Sequence, residues 1–181
     1  MKKPTIHTLD MEEELEYDNT AMLFFHTDSP GYVFVNDLNR LLRLRLSRKA
    51  DIDLHDLHWP FYLYKDNISK LTYLVIERPQ DSGRNAGHWK AGHKLLIIKG
   101  DGADERAQDI HDLFASPRLA EAGRFHLNEE QQLILEAYQQ ELTPVSRLTD
   151  SVPHSDKAAK EHDRLEVLTL NLLDQLNFLG I

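Results

Sequence analysis

Cysteine is absent from the 181 residues, which removes disulfides, thiolate nucleophiles and thiolate metal sites together. Long apolar runs are absent too, and no stretch approaches the ~20 apolar residues that a membrane helix needs. The opening Met1-Lys2-Lys3-Pro4-Thr5-Ile6-His7 leads into the acidic Glu12-Glu13-Glu14 and Glu16, without the apolar centre of a secretory signal. Basic charge is scarce. Lys and Arg number 21 against 30 Asp and Glu, for a formal charge of −9. Residues 1–100 hold 14 of each sign, while residues 101–181 hold 7 basic and 16 acidic, so the whole excess lies in the second part. Such a surface repels a phosphate backbone. The expectation is a cytoplasmic protein that binds neither nucleic acid nor membrane.

Apolar residues make up 41% of the chain, enough for a packed core. The stretch from Pro30 to Arg48 is its hub. Tyr32, Val35, Leu38, Leu41 and Leu42 recur at helical steps along one side, with Ser29 placed to cap the helix and Pro30 suited to its first turn. From Leu42 to Leu46 strict Leu-Arg alternation predicts a short strand or an extended exit. Ala21 to His26 reads as a buried strand before the hub. Ala50 to His58 reads as a polar connector pinned by Ile52, Leu54 and Leu57. Residues 61–64 and 71–76 form a hairpin about the turn residues 65–70, and 79–92 is a long glycine-containing loop. Lys94 to Lys99 is a central strand, since its apolar run is uninterrupted.

Helices follow. The first covers 103–115 with Ala107, Ile110, Leu113 and Phe114 on one side. The second starts at Asn128, with Gln131 three residues on as in a capping box, and carries the stripe Leu133, Leu135, Tyr138 and Leu142. The fold class is therefore α+β: an antiparallel sheet of about four strands packed by the hub helix, with a helical C-terminal extension. The domain runs over 17–142, a Pro- and hydroxyl-containing linker over 143–155, and an amphipathic helix over 156–181.

The order of Leu38-Asn39, Leu-Leu-Arg-Leu-Arg-Leu-Ser-Arg (41–48), Asp-Ile-Asp-Leu (51–54), a hairpin and Leu-Leu-Ile-Ile-Lys-Gly (95–100) resembles the IPExxxVDY family of small bacterial proteins. The resemblance covers residues 17–115 and implies a fold and a cytoplasmic setting, not a reaction. Ala86-Gly87-His88 stands in place of Ile-Pro-Glu, and Gly92-His93-Lys94 in place of Val-Asp-Tyr. No role tied to that signature passes to these positions.

Ten histidines raise metal chemistry. The densest patch is Asp51, Asp53, His55, Asp56 and His58, and a second pair is His88 and His93. Neither has template spacing, so no metal or other cofactor is expected. Arg40, Arg43, Arg45, Arg48 and Lys49 form a basic cluster that reads as the solvated side of the hub, pairing with the acidic second part. The C-terminal helix is the strongest functional lead. Leu165, Leu168, Leu172, Leu176 and Leu179 make one stripe, broadened by Val167, Leu170, Leu173 and Phe178. A face this apolar must be buried, either on its own domain or against another copy or a partner's groove. The expected function is a non-catalytic interaction module, a homodimer by preference. The rival is a small metal-dependent hydrolase using the His55/His58 or His88/His93 groups.

Overall fold

The structure is a computed structural model, and it describes residues 19–54, 56–79, 92–115 and 126–141 together with Leu176 and Gly180. Seven strands and three helices lie in these residues: β1 (Thr20–His26), α1 (Gly31–Leu42), β2 (Ser47–Arg48), β3 (Ile52–Leu54), β4 (Leu57–Trp59), β5 (Phe61–Lys65), β6 (Thr72–Glu77), β7 (His93–Lys99), α2 (Ala103–Ala115) and α3 (Glu129–Glu141). The main sheet has five strands in the order β1-β7-β6-β5-β2, every pair antiparallel. The class is α+β, with a fifth strand contributed by the two residues of β2.

Side chains alternate along each strand, so pairing sorts them into two faces. One face presents Leu23, Leu96, Val75 and Tyr62 in one row and Ala21, Ile98 and Tyr73 in the next. All three helices cover it. Phe25 of β1 meets Phe34 of α1 and Phe114 of α2, at 5.3 and 5.2 Å between ring centroids, and Phe34 meets Tyr138 of α3 at 5.8 Å. These contacts tie the helical layer to the sheet through large apolar areas. The opposite face presents Phe24, Leu95, Ile76 and Phe61, then Ile97 and Leu74; Ile52 and Trp59 cover it, and Leu176 packs there with no exposure.

Four expectations are corrected. In α1 the buried side is Phe34, Val35, Leu38, Leu41 and Leu42, while Tyr32 is 69% exposed, because the sheet lies under Phe34. Pro30, not Ser29, is the cap residue, and its carbonyl accepts from Val33 and Phe34 N–H. In α3 Leu133 is 67% exposed and Gln131 is buried in its stead with Leu135 and Tyr138. The capping box explains the exchange. Gln131 Oε1 accepts Asn128 N–H and Asn128 Oδ1 accepts Gln131 N–H, while Gln131 Nε2 donates to the Arg40 and Leu41 carbonyls at the end of α1. One buried amide thus satisfies both helix ends.

The polar connector at 50–58 is a hairpin instead. Ile52 pairs Trp59 and Leu54 pairs Leu57, and Asp56 takes the positive φ of 60° that closes the turn. Trp59 is fully buried and its Nε1 donates to Leu54 O at 3.3 Å.

The stretch after α1 is an extended exit with Leu44 and Leu46 buried. Its backbone is held by Asn39, whose Oδ1 accepts Leu46 N–H at 2.8 Å and whose Nδ2 donates to Leu46 O at 3.1 Å. Asn39→Ala strips both groups of a partner at once, so we expect a loss of about 2 kcal/mol, read as a lower urea midpoint at unchanged slope. A midpoint equal to wild type contradicts this role.

The 143–155 linker, the loop residues 80–91, His55 and the expected 156–181 helix, apart from Leu176 and Gly180, lie outside the described residues. Among the described residues no helix is long and apolar enough to cross a membrane.

Candidate functional site

The row of the sheet beneath the start of α1 departs from the apolar pattern of its neighbours. It runs Phe25, Lys94, Glu77 across β1, β7 and β6. Lys94 is in phase with Leu96 and Ile98, and Glu77 with Tyr73 and Val75, so both ionisable groups project toward the helical layer. Residues directly opposite on antiparallel strands hold their Cβ atoms about 5 Å apart. Here α1 begins, and a cavity of about 280 Å³ opens between Thr27–Gly31, Glu77–Pro79, Gly92 and Lys94.

Each charge has a fixed setting. Lys94 is only 4% exposed; its Nζ donates to Thr27 O at 3.1 Å and stands 5.7 Å from the Phe34 ring centroid. The Glu77 carboxylate accepts the Gly31 N–H, one of the donors that a helix start leaves without an intrahelical partner. A Cβ at position 31 would overlap the Glu77 carboxylate, so a larger residue there would have to turn that side chain aside. On the other wall Gly92 takes φ +85°, and a Cβ would press on Thr27 O at 2.9 Å.

Burial acts on both groups. It pushes the Glu77 carboxyl up, against the pull of Lys94, Arg48 and the Gly31 N–H, and it pushes the Lys94 ammonium down, against Glu77 and Asp28. Tyr62 is raised as well, first by burial and then by Glu77. For Glu77 the sign is set by where the proton is held more tightly. The folded chain binds it better than the unfolded chain, so this group favours folding most below the ordinary glutamate range and loses that contribution as pH rises through the folded value. Relative to Glu77→Gln, wild-type unfolding free energy should therefore decline with pH just above that range. Urea titrations at stepped pH check it, and parallel profiles for the two proteins contradict it.

No family model, no curated protein and no solved structure matches this chain. The arrangement is thus read from its own residues.

The sequence-derived candidates fall elsewhere. His58 Nδ1 lies 2.5 Å from Asp53 Oδ1 across the β3–β4 hairpin, with both side chains exposed. His93 sits opposite His26 in the β1–β7 register, while His55 and His88 lie outside the described residues. Among the described residues no three His, Asp or Glu side chains gather as metal ligands do. Of the basic cluster, Arg40 pairs with Glu130 of α3 at 2.6 Å, and Arg48 pairs with Asp51 while standing 5.7 Å over the Tyr62 ring. Of the leucine stripe, Leu176 packs on the second sheet face; Leu165, Leu168, Leu172 and Leu179 lie outside the described residues.

Sequence reasoning missed Glu77 and Lys94. Lys94 precedes an apolar strand run and Glu77 ends one, each in the phase of the core-facing residues, and that phase was the available signal. What the sequence withheld was the register that sets them side by side.

Proposed function

We propose that this chain is a non-catalytic protein-interaction module that self-associates through its C-terminal leucine segment. The observation that carries the reading is Leu176, completely buried among Phe24, Ile52, Trp59, Phe61, Leu74, Ile76, Leu95 and Ile97. That face of the sheet is a floor for a leucine knob, as in helix-in-groove recognition. Leu165, Leu168, Leu172 and Leu179 share the helical phase of Leu176 in the sequence. The 143–155 stretch, with Pro144 and Pro153, gives the segment room to lie on its own sheet or on that of a second copy. The contact is the same in either case, which is the condition for exchange between protomers.

The resemblance to the IPExxxVDY family brings a bacterial, cytoplasmic setting into this proposal. The formal charge of −9 supports a protein partner over nucleic acid. Light scattering across a dilution series tests the reading, with a mass of twice 21.0 kDa expected for the full chain. A single-chain mass throughout, with no change in solubility on removal of 156–181, contradicts it.

A further inference from the structure

Lys94 is a primary amine at a core-facing strand position, and it lines a cavity. Its ammonium has exchanged nearly all of its water for one backbone carbonyl and the face of Phe34. A carboxyl group, Glu77, stands directly opposite on the next strand and lines the same cavity. Amine, neighbouring acid and a small recess are the three parts that reversible addition to a carbonyl needs. The amine is the nucleophile, the acid carries the proton, and the recess seats the carbonyl compound beside both.

We propose that this cavity binds a small aldehyde or ketone covalently, as an imine on Lys94, with Glu77 carrying the protons. The Nζ lone pair of the neutral amine attacks the carbonyl carbon, and the C=O π pair moves to oxygen, which takes the proton of the Glu77 carboxylic acid. A proton on nitrogen then returns to the Glu77 carboxylate, leaving a neutral carbinolamine. The same carboxyl protonates its hydroxyl, the C–O bond breaks with loss of water, and the nitrogen pair closes the C=N bond. The iminium proton returns to the Glu77 carboxylate. One amine and one carbonyl give one imine and one water, without oxidant or reductant.

Desolvation favours the neutral amine that the first step uses, and the upward push on Glu77 favours the acid that donates. Arg78 and Asp28 line the cavity and give its walls both signs. The site is separate from the leucine floor, since it lies on the helical side of the sheet. It stands or falls independently of self-association.

The test is a labelling map of the full-length chain. Acetylacetone, which traps amines as a stable enaminone, and glyoxylate followed by borohydride are each added at neutral pH, and lysines are read by peptide mass spectrometry. Lys94 is expected to label at least about tenfold faster than Lys65 and Lys70, both exposed to solvent. Glu77→Gln is expected to slow Lys94 by about a hundredfold, the usual scale of positioned proton transfer, while leaving Lys65 and Lys70 unchanged. Labelling of wild type that is spread over the surface lysines, or that spares Lys94, overturns the proposal whatever the variant does. Equal rates at Lys94 in wild type and in folded Glu77→Gln overturn the role given to Glu77.

Discussion

Leu176→Ala should lower the unfolding free energy by about 3 kcal/mol, the central cost of deleting a fully buried leucine side chain. The residue has no exposure and clusters with the apolar rows of β1, β6 and β7 as well as the β3–β4 hairpin. Truncation removes the transfer energy of the side chain and leaves a void in this cluster. Leu176→Asp should do more. A carboxylate cannot be seated among Phe24, Leu74, Leu95 and Ile97 without a partner, so residue 176 must leave the cluster. The two variants separate packing from docking. The alanine chain lowers the urea midpoint, while the aspartate chain also exposes apolar sheet and becomes less soluble. Wild-type midpoints in both would mean that the contact contributes nothing.

Lys94→Met carries the second large effect. Methionine keeps the length of the chain against Phe34 but leaves the Glu77 carboxylate without the cation that acts on it most strongly, while Gly31 N–H still holds it in place. Breaking one side of a fully buried ion pair costs about 3–5 kcal/mol. Glu77 is only half-buried, so solvent screening brings the expectation to roughly 2 kcal/mol at neutral pH. The double variant Lys94→Met with Glu77→Gln should recover most of that loss, since the amide retains an acceptor for Gly31 N–H and carries no charge. A coupling energy near zero in that cycle would show that the two groups do not sense each other.

Much of the fold was legible because local chemistry and tertiary packing agree. The apolar run 95–98 is buried on both faces, as a central strand requires, and Asn128 with Gln131 caps α3 as their spacing predicts. Asp66 organises the β5–β6 turn by accepting Ile68 N–H and the Ser69 hydroxyl. The misses have a common cause. Tyr32 and Phe34 both satisfy a helical stripe, and only the position of the sheet chooses Phe34. Leu133 yields to Gln131 because two helix ends converge on one amide. The hairpin at 52–59 was hidden since its exposed phase, Asp53 and His58, is as polar as a loop. The Glu77–Lys94 pair needed a cross-strand register, which no local pattern records.

Self-association through the leucine segment is tested most directly by light scattering of the full chain beside Leu176→Asp. The account predicts twice 21.0 kDa for the full chain and a single-chain mass for soluble Leu176→Asp. A wild-type chain that scatters as one copy at every concentration contradicts it.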